Sequence, residues 1–302
     1  MRIAIAGGTG FIGTKLTNHL VSLGHSVYIL TRDATNKPAK PNVIYVEWLK
    51  DGTNPAASLD EIDVIVNLAG ESIGASRWTS ARKKSILQSR IQSTRSIVNL
   101  IEKLTSKPKV LVNASAIGYY GNSLTHPFTE ESKPAQDNFL SLVVQKWEQE
   151  AEAATAYGVR VTYCRLGVVL DSNKGALARM LLPFRFFAGG PLGSGSQWFS
   201  WIHIDDVIHM FTFAIEHIEL QGPFNLTAPA PLKMDDFGKI IARVLSKPYW
   251  LPAPSIALKL LLGEMSTLVL DGQKVLPYKA ETAGYRFLYP SLEPALTNLL
   301  KS

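Results

Sequence analysis

Hydrophobic and polar residues alternate along the first half of the chain in blocks that predict repeated strands and helices. Short apolar runs predict buried parallel strands, and longer segments with apolar residues three or four positions apart predict amphipathic helices. The predicted strands cover residues 2–6, 26–30, 43–46, 63–70, 110–115 and 159–166. The predicted helices cover residues 14–23, 80–104 and 138–157. This order predicts an α/β fold with a Rossmann-type, doubly wound parallel sheet, which binds ligands at the carboxyl ends of its strands.

The regular alternation stops after residue 166. Residues 182–199 are rich in glycine and aromatic side chains and predict a loop or lid. A helix is expected to begin near Asp205, followed by a strand at 224–227, a helix at 234–245 and a proline-rich stretch at 248–254. We predict a first domain of residues 1–170, which contains the parallel sheet and to which 203–230 return. Residues 171–202 and 231–302 are predicted to form a smaller α/β substrate or lid domain.

A glycine-rich turn, GGTGFIG at residues 7–13, joins the first predicted strand to the first predicted helix. Glycines at this spacing allow a sharp turn, a close approach of the backbone to a pyrophosphate, and tight packing of the helix on the sheet. The amino terminus of the helix favours the phosphate charges. The turn therefore predicts a dinucleotide site, with contacts from Gly7, Thr9, Gly10, Phe11, Ile12 and Gly13.

The end of the second predicted strand bears on which dinucleotide binds. Folds that bind NAD place an acid there for the ribose hydroxyl, whereas here the strand ends in Thr31 and Arg32. Arginine is a preferred partner of phosphate, so NADP(H) is favoured over NAD(H). Asp33 keeps NAD(H) open, and Arg32 as a solvated loop residue is the alternative. Further cofactor contacts are predicted at the ends of other strands: Leu68, Ala69, Gly70 and Arg165.

Composition limits the classes of protein. Of 302 residues, 46% are hydrophobic and 19% are charged, which is typical of a globular chain. One cysteine, Cys164, excludes an intramolecular disulfide, and six scattered histidines predict no metal site. The chain enters a strand at residue 2, and its apolar run near the carboxyl terminus is short and interrupted by Lys259. We therefore expect neither a signal peptide nor a membrane span, and a cytoplasmic location.

The net charge of +6 is unevenly distributed. Residues 77–109 contain nine Lys or Arg and one acid, Glu102. A solvated helix face, attraction of an anionic cofactor or substrate, and nucleic-acid binding are the alternatives. Because no nucleic-acid motif accompanies the charge, the predicted partner is a small-molecule substrate and neither nucleic acid nor a membrane, and a homodimer stays open.

Several blocks of the chain resemble the extended short-chain dehydrogenase/reductases, in the epimerase/dehydratase branch. The resemblance is closer to an atypical subgroup, the epimerase family proteins, and it extends over essentially the whole chain. The subgroup has its own carboxyl-terminal extension, which resembles residues 251–300, and it has no agreed substrate. The blocks that carry the resemblance are residues 7–13, 67–71, 77–79, 89–90, 115–121, 189–198 and 201–203.

The resemblance implies a catalytic serine, a tyrosine that acts as acid or base, and a lysine one helical turn after the tyrosine. Ser115 fits the serine. Leu140 and Val144 occupy the other two places when the helix is aligned on Glu148, and neither side chain can transfer a proton. If the protein is an enzyme, another acid or base must act. Tyr119 and Tyr120 are the candidates, with aromatic packing beneath the lid as the alternative.

Polar and aromatic residues near the predicted strand ends could line a pocket for a flat or anionic substrate. The predicted substrate-binding residues are Glu71, Arg77, Trp78, Gln197, Trp198 and Trp201. Glu71 is also a candidate acid or base, with a surface or capping role as the alternative. His203 is interpreted as structural, at the start of a helix that Asp205 caps.

Two functions are compatible with these features. The first is an NADP(H)-binding oxidoreductase or epimerase-like enzyme that acts on a small polar substrate with non-standard acid/base residues. The second is a non-catalytic NADP(H)-binding sensor or scaffold protein. The missing tyrosine and lysine favour the second, whereas Ser115 and the aromatic lid favour the first.

Overall fold

The computed structural model describes residues 1–35, 37–136 and 138–301. The first half alternates strands with helices, as the hydrophobic pattern predicts. In chain order these elements are β1 (Arg2–Ala6), α1 (Phe11–Ser22), β2 (Ser26–Thr31), β3 (Val43–Glu47), β4 (Val64–Asn67), α2 (Ser80–Lys103), β5 (Val110–Ala116), β6 (Pro127–Phe128), α3 (Phe139–Glu152) and β7 (Arg160–Leu166).

The second half contains more helices and shorter strands. In chain order these are β8 (Val168–Leu170), α4 (Gly175–Arg185), β9 (Trp198–Phe199), β10 (Trp201–His203), α5 (Ile204–Glu216), β11 (Gly222–Leu226), β12 (Leu232–Lys233), α6 (Met234–Leu245), α7 (Ser255–Leu262), α8 (Thr267–Leu270), β13 (Lys274–Val275), α9 (Tyr278–Thr282) and α10 (Leu292–Lys301). Single turns of 3-10 helix occur at Pro55–Ser58, Ile117–Tyr120, Ala153–Tyr157 and Gly263–Ser266.

Seven strands form one parallel sheet in the order β11-β7-β5-β4-β1-β2-β3. The chain moves from β1 towards β3 on one side and from β4 towards β11 on the other. The strand order therefore reverses between β1 and β4, and the ends of these strands form the crevice where such sheets bind ligands. The predicted fold class, a doubly wound parallel α/β sheet, is confirmed.

Helices cover both faces of the sheet. Ile3 and Ile5 pack with the apolar side chains of α1 and α5, whereas Ala4 and Ala6 pack on the opposite face with those of α2. Alternate residues of β1 thus face the two layers, as expected of a strand buried on both sides. A separate core lies between α4, α6 and α10, and Trp201 of β10 is buried in it.

Several boundaries differ from those predicted. α1 begins at Phe11 and not Thr14, since a glycine turn gives no hydrophobic period from which to find a helix start. The predicted loop at 182–199 begins inside α4 and ends in β9, so the irregular segment is residues 186–197. The predicted strand 63–70 ends at Asn67. The helix predicted near Asp205 has His203 as its N-cap, whose ring accepts the Asp205 amide at 3.1 Å. Asp205 is therefore not the cap.

The described part of the chain contains no helix that is both long and apolar enough to cross a membrane. The division into two domains stays a prediction.

Candidate functional site

The glycine turn passes directly beside the end of β4. Gly7 has φ +79°, and a Cβ at this position would lie 2.8 Å from the carbonyl carbon and oxygen of Leu68. A Cβ on Gly13 would lie 2.2 Å from the carbonyl oxygen of Gly7. Both distances are far shorter than packed atoms allow, so the turn and the crossing of α1 over it require glycine. The close approach of this turn to a pyrophosphate stays a prediction.

The first turn of α1 is open to an anion. Gly10 is the N-cap residue, and no side chain caps the helix. The amides of the first turn belong to Phe11, Ile12 and Gly13, and Thr9 and Gly10 are exposed. An uncapped helix start beside a turn that a Cβ would fill fits the diphosphate of a dinucleotide.

The end of β2 presents a free cation. Arg32 is exposed, and no described residue pairs with it. Asp33 is held within its own turn, where its carboxylate accepts the Thr35 hydroxyl at 2.5 Å and the Thr35 amide at 2.8 Å. These bonds lower the pKa of Asp33. The Thr31 hydroxyl donates to the Asp33 carbonyl oxygen at 3.0 Å, which keeps the turn compact.

The end of β4 is anchored by a buried amide. Asn67 donates to Thr94 at 2.9 Å and to Asn113 at 2.7 Å, and it accepts the Ala69 amide at 3.2 Å. Leu68 and Ala69 are half-buried and Gly70 is exposed. The small residues predicted as cofactor contacts therefore lie at the edge of the crevice.

Arg90 of α2 packs against this strand end. A Cβ on Gly70 would lie 3.3 Å from the Arg90 side chain, and one guanidinium nitrogen donates to the carbonyl oxygens of Glu71 and Ile86. Burial lowers the pKa of Arg90 to about 10. The hydrogen-bond partners of the Arg90 guanidinium are backbone carbonyl oxygens and not a carboxylate. Arg90 therefore adds positive charge beside the crevice.

A buried ion pair lies beneath the end of β5. Ser115 donates to Glu148 of α3 at 2.5 Å, and Arg165 of β7 donates to the two Glu148 oxygens at 2.8 Å each. Ser115 and Arg165 are each 1% exposed. Burial disfavours the charged guanidinium, but the bonds to Glu148 outweigh it and hold the pKa of Arg165 above its ordinary value.

The two adjacent tyrosines have different environments. The Arg165 guanidinium lies 3.5 Å from the centre of the Tyr119 ring and donates to the Tyr120 hydroxyl at 2.9 Å. Tyr120 is buried and donates to Asn225 at 2.7 Å, and burial raises its pKa to about 12. Tyr119 is half-buried, and no described residue hydrogen-bonds to its hydroxyl. Of the two candidates, the geometry favours Tyr119 as the hydroxyl that a ligand can reach.

Arg165 was predicted to contact the cofactor. The structure instead places it beneath the Tyr119 ring with its charge paired to Glu148. An arginine at the end of a strand can point into the crevice or under the next turn, and the sequence does not distinguish the two.

Leu140 and Val144 lie on α3, two turns and one turn before Glu148, respectively. A Cβ on Gly118 would lie 3.1 Å from the Leu140 Cβ, so this side chain packs against the turn that follows β5. Val144 is 3% exposed. Apolar packing thus fills the places of the family tyrosine and lysine.

Three predicted substrate-binding residues follow β4, and their side chains contact other residues of the protein: Glu71, Arg77 and Trp78. Glu71 pairs with Arg82 and accepts the Ser85 hydroxyl at 2.8 Å, and the bond to Ser85 lowers its pKa. Arg77 donates to the Leu260 carbonyl oxygen at 3.1 Å. Trp78 is 8% exposed and packs with Ile86 and Val143, so it is a core residue and does not line a pocket.

The predicted substrate residues of the lid are also engaged elsewhere. Gln197 is 2% exposed and donates to the carbonyl oxygens of Leu192 and Val269. Trp201 has no exposed surface. Trp198 is half-buried, with the Lys233 and Lys274 ammonium groups 3.9 and 4.9 Å from its ring centre. Trp198 therefore retains accessible surface, whereas Gln197 and Trp201 hold the fold.

Sequence reasoning missed three polar residues of the buried network: Glu148, Asn225 and Glu130. Glu148 had a signal, because it lies on the inward stripe of α3 with Val144 and Ala151. An acid at a buried position predicts a buried cation nearby, and Arg165, at a buried position of β7, is such a cation. Asn225 and Glu130 had no comparable signal.

Among residues 1–35, 37–136 and 138–301, no group of three or more His, Cys, Asp or Glu side chains is placed to hold a metal ion. Cys164 is buried, and burial raises the pKa of its thiol.

Two known sequence families match the chain. Residues 3–227 match the NAD dependent epimerase/dehydratase family, and residues 253–299 match a domain of unknown function, DUF1731. The chain is 49% identical over 300 residues to the epimerase family protein YfhF of Bacillus subtilis (strain 168), covering 99% of this chain and 98% of that protein. It is 43% identical over 302 residues to an epimerase family protein of Staphylococcus epidermidis (strain ATCC 12228 / FDA PCI 1200), covering 100% and 99%.

Solved structures share the fold. The human epimerase family protein SDR39U1 (isoform 2), crystallised with NADPH, is 34% identical with a TM-score of 0.87, and all of both chains is covered. A nucleoside-diphosphate sugar epimerase from Corynebacterium glutamicum is 31% identical with a TM-score of 0.79, covering 99% of this chain and 58% of that one. A UDP-glucuronic acid 4-epimerase from Bacillus cereus, in complex with NAD, shares the fold at 16% identity and a TM-score of 0.77, covering 99% and 95%.

Proposed function

The chain belongs to the NAD-dependent epimerase/dehydratase family and, within it, to the epimerase family proteins with a DUF1731 domain, and from this premise we propose an NADP(H)-binding oxidoreductase or epimerase-like enzyme of a small polar substrate. The observation that carries the proposal is the glycine turn, whose uncapped helix start lies on the same edge of the sheet as Ser115. The cofactor diphosphate at the end of β1 and the Ser115 and Tyr119 hydroxyl groups at the end of β5 would thus lie on one edge of the sheet, with β4 between the two strands.

The cofactor would be held chiefly by backbone. The amides of Phe11, Ile12 and Gly13 would bind the diphosphate, with Gly7, Thr9 and Gly10 providing the close approach. Leu68, Ala69 and Gly70 would flank it at the end of β4. Thr31 and Arg32 would receive the adenosine ribose and its phosphate at the end of β2.

The preference for NADP(H) rests on Arg32 and Asp33. Arg32 has no partner among the described residues, and the Asp33 carboxylate is occupied by Thr35. A free guanidinium suits a 2′-phosphate, while an acid already bonded within its turn is less available to a ribose hydroxyl. The human relative SDR39U1 was crystallised with NADPH, which supports the same choice.

When bound, the nicotinamide would supply or accept the hydride. In the direction of reduction, the Tyr119 hydroxyl would give its proton to the substrate oxygen as the adjacent carbon takes the hydride. The phenolate left on Tyr119 would lie beside the Arg165 guanidinium, which is 3.5 Å from the centre of the Tyr119 ring. Solvent would then return a proton to Tyr119. In oxidation the same groups would act in reverse.

Ser115 would not supply the proton, because its hydroxyl hydrogen is directed to Glu148. At 1% exposure it would instead hold Glu148, and through Glu148 the Arg165 guanidinium, in place beneath Tyr119. Tyr120 would support this arrangement by holding Arg165 from below. Glu71, Arg77 and Trp198 are the remaining candidates for binding of a polar substrate.

Two measurements test the proposal. Fluorescence titration should give tighter binding of NADPH than of NADH, and Arg32→Ala should weaken NADPH binding by about tenfold or more, as loss of a charged phosphate partner predicts. Lys103→Ala, at an exposed cation in the last turn of α2, is the matched control and should change neither affinity. Tighter binding of NADH would contradict the cofactor assignment.

Turnover is tested with the adjacent tyrosines. Against a panel of carbonyl compounds, oxidation of NADPH should fall by about a hundredfold or more in Tyr119→Phe with cofactor binding retained. Tyr120→Phe removes bonds to Asn225 and Arg165, so its larger effect should be on stability. Equal turnover in Tyr119→Phe and the native protein would exclude Tyr119 as the proton donor.

A non-catalytic NADP(H) sensor or scaffold is the second candidate. The observation that favours it is the apolar packing of Leu140 and Val144 at the family positions of the tyrosine and lysine. Tight NADPH binding and no turnover with any compound would support this candidate over the enzyme. A chain that binds neither nucleotide would contradict both.

A further inference from the structure

Helix α7 carries an apolar surface that the chain itself leaves uncovered. Its sequence is SIALKLLL, in which six of eight residues are apolar, yet the helix has no buried residue. Ile256, Leu260 and Leu261 are 73, 75 and 70% exposed. A helix this apolar is ordinarily buried, and large exposed apolar patches mark interaction sites.

The exposed surface continues onto the segment that leads into α7 and onto the segment after α4 that runs beside it. The Trp250 indole donates to the Phe187 carbonyl oxygen at 2.8 Å, and the Gly193 amide donates to the Ala253 carbonyl oxygen at 2.9 Å. Phe186, Phe187 and Trp250 are 79, 56 and 63% exposed. We call the whole the aromatic–leucine surface, which consists of Phe186, Phe187, Trp250, Leu251, Ile256, Leu260 and Leu261.

The charged residues of the two segments that carry this surface are all cations, and two acids outside these segments, Asp271 beside Lys259 and Glu264 paired with Lys83, offset only part of that charge. Residues 172–204 and 246–263, which contain it, have five Lys or Arg and no Asp or Glu. Arg185 and Lys259 are exposed, and the Lys247 ammonium lies 3.6 Å from the centre of the Phe187 ring. A second copy of the chain docked about a two-fold axis would bring these cations towards one another. A surface of anionic headgroups would neutralise them.

We propose that the aromatic–leucine surface docks the protein on an anionic lipid bilayer. Leucine, isoleucine and aromatic side chains would enter the boundary between headgroups and acyl chains, while Arg185, Lys247 and Lys259 would contact lipid phosphates. This association lies on the membrane and needs no spanning helix. It departs from the sequence prediction of no membrane partner, and it does not depend on the proposed function.

The test uses the full chain and two kinds of vesicle. The protein should sediment with vesicles of equimolar phosphatidylglycerol and phosphatidylcholine, less so at high salt, and not with phosphatidylcholine alone. Tryptophan emission should shift to the blue on binding. Trp250→Phe should remove the shift and keep the binding, because Trp48, Trp78, Trp147 and Trp201 are already buried and the half-buried Trp198 lies outside this surface.

Variants separate the apolar and charged contributions. The triple change Ile256→Ser, Leu260→Ser and Leu261→Ser should lower the vesicle partition coefficient by at least about tenfold. The double reversal Arg185→Glu and Lys247→Glu should do likewise. Ile218→Ser, at a site 83% exposed outside this surface, is the matched control and should change nothing. NADPH affinity and far-ultraviolet circular dichroism report whether each variant folds.

Three results would overturn the proposal. The first is no sedimentation with either vesicle, and the second is equal binding by the triple variant and the native chain. The third is a native chain that forms a dimer in solution and does not bind vesicles, together with a triple variant that is a monomer. This result would make a second copy of the chain the occupant of the surface.

Discussion

The buried pair of Glu148 and Arg165 can be tested at the scale of single residues. Removing one member leaves the other charge buried, which costs far more than losing an exposed pair. Arg165→Met should therefore lower the free energy of unfolding by about 3 to 5 kcal/mol in urea denaturation. Arg95→Ala, at a pair whose arginine side chain is 60% exposed, should cost no more than about 1 kcal/mol.

The double variant Glu148→Leu with Arg165→Met distinguishes two contributions to the free energy of unfolding: the net contribution of the ion pair, and the cost of leaving one buried charge unpaired. Apolar replacements of similar volume should recover most of the stability lost in Arg165→Met. A double variant as unstable as the sum of both single changes would mean that the network with Ser115 and Tyr120 contributes more than charge neutralisation.

Glu130 should make stability depend on pH. One of its oxygens accepts the amides of Asn225 and Lys279 at 3.0 and 3.3 Å, and the other is buried without a partner in the described structure. Burial raises the pKa of Glu130. The folded state therefore keeps the Glu130 carboxyl group protonated to a higher pH than the unfolded state does. The free energy of unfolding falls as the pH rises from the ordinary glutamate pKa through the raised pKa of Glu130.

Glu130→Gln keeps the accepting oxygen and removes the charge. The variant should gain stability over the native chain as pH rises through that window, and the difference should be smallest below the ordinary glutamate pKa. Urea denaturation at a series of pH values measures it. Glu131→Gln, at the exposed neighbour, should leave the pH profile unchanged. A difference that shrank with rising pH would reverse the sign of the assigned shift.

At the scale of elements, the packing of α1 on the sheet depends on Gly13. A Cβ there would lie 2.2 Å from the carbonyl oxygen of Gly7, so Gly13→Ala must move the helix or the turn. We expect a loss of about 1 to 3 kcal/mol of unfolding free energy by thermal or urea denaturation, together with weaker NADPH binding. Asn18→Ala, on the exposed side of α1, should change stability by less than about 0.5 kcal/mol. Native stability in Gly13→Ala would contradict the crossing described for α1.

Elements with a strong local period could be predicted from the sequence. The bounds 234–245 predicted for α6 are those observed, and the parallel strands were found because their apolar runs are short and separated by helices. α1 began earlier than predicted because its first turn is made of the glycine motif itself. Hydrophobic period and glycine spacing are local properties of the sequence. They therefore predict the helices, the strands and the glycine turn.

Pairings between distant elements could not be predicted in this way. Trp78 and Trp201 were predicted to line a pocket because they belong to a set of polar and aromatic residues near the predicted strand ends, but both are buried. Arg165 meets Glu148 across the junction of β7 and α3, which depends on how the helix lies on the sheet. The choice between Tyr119 and Tyr120 likewise depends on which ring turns inward.

At the scale of the whole molecule, Asp206 joins the main sheet layer to the carboxyl-terminal segment. It lies on α5, whose apolar side packs on the sheet, and it is fully buried. Its carboxylate accepts the Tyr285 hydroxyl and the amides of Leu288 and Tyr289, each at 2.9 Å. Burial raises the pKa of Tyr285. These three bonds hold the segment that leads into α10, and α10 fills the separate core with α6.

Asp206→Ala should therefore release the carboxyl-terminal segment from α5 and also lower the free energy of unfolding of the whole chain. Three donors lose a buried acceptor, each at a cost of about 1 to 3 kcal/mol, so the loss in urea denaturation should be at least about 3 kcal/mol. Limited proteolysis should cut the variant near residues 285–289 before the rest of the chain. Asp205→Ala, the half-exposed neighbour on the same helix turn, should be cut like the native chain. Early cleavage in both variants would mean that a change at the start of α5, and not the loss of the Asp206 hydrogen bonds, releases the segment.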